Sequence, residues 1–149
     1  MELSNTLKNI IQGLVLVGGT VVLQFLAQVA IQIAMRRWRS QPRARFSIAG
    51  HRIGGHPLTA VFILTVAMLL QGALWAALYF QWGELGGYRN AFYFSIASFS
   101  TVGASELVLS PGHRLVGALE AAMGMLMFGW SAALLIHVVQ EDARHAASE

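Results

Sequence analysis

Residues 91–106 read AFYFSIASFSTVGASE, and this stretch decides the fold. From Asn90 to Ser105 it carries no charge. It opens on aromatics, Phe92-Tyr93-Phe94, and turns to small hydroxyl residues: Ser95, Ser98, Ser100 and Thr101. As a helix these sixteen residues reach about 24 Å at 1.5 Å each, which is short of the hydrocarbon thickness. Gly103 weakens helical propensity at the far end. Non-helical backbone survives at membrane depth only where protein or a water-filled cavity satisfies it. The stretch therefore predicts a re-entrant half-helix that dips in from outside, unwinds and returns.

The flanking sequence supplies the membrane. Charge makes up 11% of the 149 residues, less than half the share of about 25% in soluble domains. There is none between Lys8 and Arg36 or between Arg52 and Glu84, and Glu120 alone interrupts Leu115–Gln140. Each run exceeds the roughly 20 apolar residues of a bilayer span. Spans are expected over about Ile10–Met35, Pro57–Trp82 and Leu115–Gln140, in an integral, multi-pass, all-α membrane protein. Pro57 suits a first helical turn. No signal peptide is expected, because the first apolar run is too long for one and its charge follows it.

Six of the ten basic residues, Arg36, Arg37, Arg39, Arg43, Arg45 and Arg52, fall in one loop. Their position argues for a cytoplasmic loop by the positive-inside rule and for contact with anionic lipid headgroups, not for nucleic acid. The loop reads as a basic connector with room for a short interfacial helix and with Trp38 as an anchor. The amino terminus then lies outside and the carboxyl terminus in the cytoplasm. Trp75, Tyr79, Phe80 and Trp82 read as an aromatic belt at the outer interface.

Within the first span Thr20, Gln24, Gln28 and Gln32 recur every four positions and so share one helical face. That face must meet protein or water, and inter-helix hydrogen bonding is the expectation. Gly13, Gly18 and Gly19 would admit a close neighbour.

The segment from Ala91 onward, followed by SPGHRLVGALEAAMGML, resembles the pore region of the potassium-channel superfamily, of the bacterial two-span type. The matching pieces are an aromatic pore helix, a hydroxyl-rich lead into Thr101-Val102-Gly103, the acidic Glu106, a Gly-x-Arg start to the inner helix, and Gly124. The resemblance implies a pore domain over 58–140, made of outer helix, pore helix, filter and inner helix. Residues 1–57 are then an added span with its basic loop, and 141–149 a short cytoplasmic tail. Because each chain holds one pore loop, it also implies a homotetramer around a shared axis, in a bacterial inner membrane.

In such a pore, backbone carbonyls replace the hydration shell of an ion. The resemblance gives that role to Thr101, Val102, Gly103, Ala104 and Ser105. Family filters read Thr-Val-Gly-Tyr-Gly-Asp; here Ala104 lacks the bracing aromatic ring, and Ser105 stands where glycine would take a left-handed backbone. The upper sites should widen, and discrimination between potassium and sodium should weaken. Glu106 is either a cation-gathering ring at the mouth or an ordinary solvated turn residue.

Glu120 is an intramembrane acid, expected to bond the pore-helix backbone or a pore-loop hydroxyl, or else to contact ions. Gly124 is the hinge of the inner helix or a close packing point. Met125, Phe128 and Ala132 should face the cavity, with Phe128 either a dewetting gate or a packed aromatic. His113 and His137 are pH-sensor candidates or incidental polar residues.

The reading is a tetrameric potassium-channel-like cation channel, weakly selective among monovalent ions. Its alternatives are a sodium- or calcium-permeable pore built on a Glu106 ring, and a non-conducting scaffold or accessory subunit. No acid–base pair, nucleophile triad or metal-ligand spacing stands out, so neither an enzyme nor a cofactor is expected, and no metal beyond permeant cations.

Overall fold

The computed structural model describes residues 2–39, 46–48, 51–53, 56–103 and 106–147. Four helices follow one another: α1 (Glu2–Arg39), α2 (His56–Gln81), the short α3 (Tyr88–Phe99) and α4 (Arg114–Ala147). A single 3₁₀ turn over Glu84–Gly86 precedes α3. Stretches of α1, α2 and α4 (Leu7–Arg37, Pro57–Gln81 and Arg114–Arg144) are long and apolar enough to cross a membrane. The chain is thus an all-α membrane protein of three spans and one short helix between the second and third.

The basic connector differs from expectation. Where a short interfacial helix had room, Phe46–Ile48 (β1) pairs antiparallel with His51–Ile53 (β2), in the register Phe46 to Ile53 and Ile48 to His51. Only two residues, one of them Gly50, separate Ile48 from His51, the length of a tight hairpin connection. Arg36, Arg37 and Arg39 belong to the last turns of α1, where cations suit the negative end of the helix dipole. Arg43 and Arg45 lie outside the described residues.

Two apolar clusters hold the helices. One gathers Trp75, Tyr79, Phe94, Phe99, Val116 and Met123 around α3; the other joins Ala27, Ile31, Ala60, Leu64, Ala67 and Val138 toward the connector. The opposite face of α1 exposes Val15, Val22, Phe25 and Leu26, as a lipid-facing surface should. Helix α1 packs on both α2 and α4. Gly13 meets Val116 and Gly19 meets Leu74, but Gly18 has open space above it, so two of the three glycines admit a neighbour.

The aromatic belt needs correction. Trp75 and Tyr79 are fully buried, pointing into the bundle, and only Phe80 stands clearly exposed, at 54%. Belt reasoning uses position along the helix, whereas which face a ring occupies is decided by its hydrogen-bond partners.

Candidate functional site: the pore helix and the loop that follows it

Helix α3 is short, apolar and held from behind. Its buried residues are Ala91, Phe94, Ser95, Ala97 and Phe99. Tyr79 of α2 meets Phe94 edge-on, with centroids 5.5 Å apart at 88°, a favoured aromatic geometry. The Tyr79 hydroxyl donates to Glu120 Oε2 at 2.7 Å. Glu120 is fully buried, and Ser95 of α3 is close enough to act on the same carboxyl. Ser95 Oγ and Glu120 Oε1 are nonetheless the buried side-chain oxygens without a hydrogen-bond partner among the described residues. The acid thus sits behind α3, beside Ser95 but without a bond to it; the hydroxyl that donates to it is that of Tyr79, which the belt reading puts at the interface.

The C-terminal end of α3 abuts α4 at Gly124. A Cβ on Gly124 would overlap the Phe99 carbonyl oxygen and lie 2.7 Å from Phe99 C. Gly124 thus packs closely against the Phe99 backbone, and α4 continues through it as one helix.

Beyond Phe99 the chain turns sharply. Ser100 donates its N–H to Ile96 O at 2.9 Å, Thr101 to Ser98 O at 3.0 Å and Gly103 to Ala97 O at 2.9 Å. Thr101 has φ 61° and Gly103 φ 79°, left-handed conformations with Val102 between them. For a threonine this costs about 1–2 kcal/mol, and strain of that kind gathers at functional sites. Thr101, Val102 and Gly103 are all exposed, Val102 to 82%. The left-handed demand falls on Thr101 and Gly103; Ala104 and Ser105 lie outside the described residues.

The remaining candidates lie on either side of this turn. Glu106 is exposed and lines a concavity with Arg89 and Tyr93. Met125, Phe128 and Ala132 are exposed on α4. Phe128 and Ala132 line a cavity of about 230 Å³ below Phe99, together with Gln24, Gln71 and Ser131. His137 is exposed near the end of α4.

The polar stripe of α1 forms a seam against α2 and α4. Trp75 Nε1 donates to Thr20 Oγ1 at 3.0 Å, and Gln71 Nε2 to Gln24 Oε1 at 3.0 Å. Gln24 Nε2 passes a donor on to Ser131 Oγ at 3.0 Å, and Trp130 Nε1 donates to Gln28 Oε1 at 3.1 Å. Gln12, outside the predicted stripe, accepts from Trp82 Nε1 at 3.1 Å. Gln32 is exposed.

Glu84, on the 3₁₀ turn after α2, is not singled out by sequence. It follows a long uncharged span and bonds Ser110 and His113, 26 and 29 residues away, a distance no local pattern reveals. Burial works to raise the Glu84 carboxyl. Hydrogen bonds from the Ser110 hydroxyl and N–H and the His113 ring outweigh it and hold the carboxyl below the usual carboxylate range.

No curated protein and no solved structure matches the chain. Residues 58–141, α2 through most of α4, match the model of the family described as ion channel. That match spans more than half of the chain and contains the short helix, its strained turn and the acid behind it, so the chain belongs to the ion channel family.

Proposed function

We propose that the chain assembles as a homotetramer and conducts monovalent cations along a shared axis, past Thr101, Val102 and Gly103, with weak discrimination between potassium and sodium. The observation that carries this reading is the exposure of Val102, 82%, on backbone that leaves the end of a short helix set between two spans. Such backbone is tolerated at membrane depth only against water or protein, and four copies around an axis provide both. Exposed carbonyls beside the negative end of α3 suit a partly dehydrated cation. Ala104 and Ser105, in place of the family's tyrosine and glycine, support a wider upper filter, and Glu106 gathers cations at its mouth.

The arginines of residues 36–52 support an outside amino terminus, a cytoplasmic carboxyl terminus and contact with anionic lipid. A bacterial inner membrane fits this reading. The exposed Met125, Phe128 and Ala132 would then line the inner cavity. A sodium- or calcium-permeable pore is the second reading, favoured by the exposure of Glu106.

Purified protein in planar bilayers, under opposed potassium and sodium gradients, tests the proposal. Wild type should reverse near zero, and Ala104→Tyr with Ser105→Gly should move the reversal toward the potassium potential. A wild type already strongly selective for potassium overturns the weak-selectivity reading. Absence of current in every lipid tried favours the non-conducting scaffold.

A further inference from the structure

The segment leaving the filter is tied back to the outer turn at one point. Glu84, on the 3₁₀ turn between α2 and α3, accepts the Ser110 N–H at Oε2, 3.1 Å, and the Ser110 hydroxyl at Oε1. His113 Nδ1 lies 2.7 Å from the same Oε1 and 3.0 Å from Ser110 Oγ. The imidazole stacks on the Trp82 indole, centroids 4.1 Å apart at 18°, and that indole donates to Gln12 of α1. One carboxylate thus joins the turn before the pore helix, the strand of chain after the filter and the start of the inner helix, with α1 braced behind.

We propose that Glu84 is a positioning residue that clamps the post-filter segment through Ser110 and His113, and that protons at the outer face set the strength of the clamp. This rests on the cation-pore reading above and adds its regulation. A neutral His113 gives Glu84 one hydrogen bond. A protonated ring gives it a charge-assisted one and sets a cation on the indole face. Protonation of the ring therefore tightens the clamp. Stronger acid releases it: a carboxylate whose value is lowered by its partners contributes above the ordinary carboxylate range and is lost as pH falls through that lowered value.

The charged or titratable side chains on the surrounding elements are few. Glu84 lies on the turn. Arg114 is beside His113 on α4, with its Nε donating to Leu109 O at 3.2 Å. Glu106 and Arg89 line the same concavity, and α1 brings Lys8 near its outer end. The α2 end presents Trp82, with Tyr79 tilted against that ring at 6.0 Å. Among the described residues Glu84 is the ion-pair partner of His113.

Two measurements on the full-length protein decide the matter, using wild type, Glu84→Gln and His113→Gln. Glutamine keeps the shape of Glu84 but removes its charge and turns one of its two acceptor oxygens into an NH2 donor, so it weakens the contacts to Ser110 or His113 as well. In nanodiscs, the His113 ring resonance is followed by NMR at fixed pH: Glu84→Gln should change its chemical shift, and an unmoved resonance overturns the pairing whether or not the protein conducts. In bilayers, stepping the outer solution from pH 8 to pH 5.5 should raise wild-type current about two- to fivefold, the low end of ordinary coupling between sites. The step should leave both variants within measurement error of no change. Wild-type current that ignores the step, or variants that respond as fully as wild type, overturn the regulatory role. If no protein conducts, the pore reading falls with the regulation built on it, while the ring resonance still decides the clamp.

Discussion

Gly124 of α4 and Phe99 of α3 touch through backbone: a Cβ on the glycine would stand 2.8 Å from Phe99 Cα and 2.7 Å from its carbonyl carbon. Neither atom belongs to a flexible side chain, so any larger residue must push the end of the pore helix aside. Gly124→Ala should therefore cost about 1–3 kcal/mol as an overpacked core position and disturb the turn at Thr101–Gly103. Thermal unfolding in detergent and single-channel recording check this. A variant as stable as wild type and with unchanged conductance would mean that the contact yields freely.

Tyr79→Phe removes the hydroxyl that donates to Glu120 Oε2 and leaves a fully buried carboxyl with neither oxygen bonded among the described residues. Loss of a buried partner costs about 1–3 kcal/mol. Glu120→Leu in the same background should recover part of that loss, because two apolar groups bury at little cost where one orphaned oxygen does not. A double-mutant cycle on unfolding free energy measures the coupling, and additive losses would show the 2.7 Å bond to be energetically idle.

Single changes along the α1 seam should be mild. Gln24→Leu removes two hydrogen bonds, yet inter-helix bonds in membranes average about 0.6 kcal/mol each. Replacing Gln12, Thr20, Gln24 and Gln28 together should loosen α1 from α2 and α4. Limited proteolysis in detergent reads this as cleavage in residues 40–55 that single variants resist. A quadruple variant with wild-type protection would show that apolar packing alone holds α1.

Glu106→Gln should lower inward cation current about two- to threefold at low ionic strength and much less at high salt, where charges beyond the Debye length are screened. Assembly, read as mass in nanodiscs, should not change, since Glu106 is exposed and the substitution removes charge while keeping shape. Equal effects at both salt concentrations would point to a shape role for this residue instead.

The spans and the pore segment were legible because bilayers impose length and apolarity on a chain. The run from Pro57 to Trp82 became α2 at His56–Gln81, and the stretch from Asn90 became α3 at Tyr88–Phe99. Helices α1 and α4 run past their expected ends, to Arg39 and Ala147, because hydropathy marks where lipid stops and a helix does not stop there. The four-residue recurrence of Thr20, Gln24 and Gln28 announced a protein-facing stripe. It could not name Trp75, Gln71, Ser131 and Trp130 as the partners, which come from two other helices. Tyr79 and Glu84 were illegible for the same reason: each takes its meaning from a residue far along the chain, Glu120 or His113, and periodicity carries no such information.

The seam also sets an order on biosynthesis. Gln28 of α1 enters the bilayer while its donor Trp130, 102 positions later, has yet to be translated. At about 5–20 residues per second the wait is roughly 5–20 s. Through that interval the amide of Gln28 sits in the membrane without its native partner, and Gln24, which meets Gln71 47 positions on, still lacks Ser131, so α1 is a helix inserted unfinished. Its completion depends on the ribosome delivering the inner helix, so a nascent chain stalled before Trp130 would leave in the membrane a polar stripe open to any neighbouring helix.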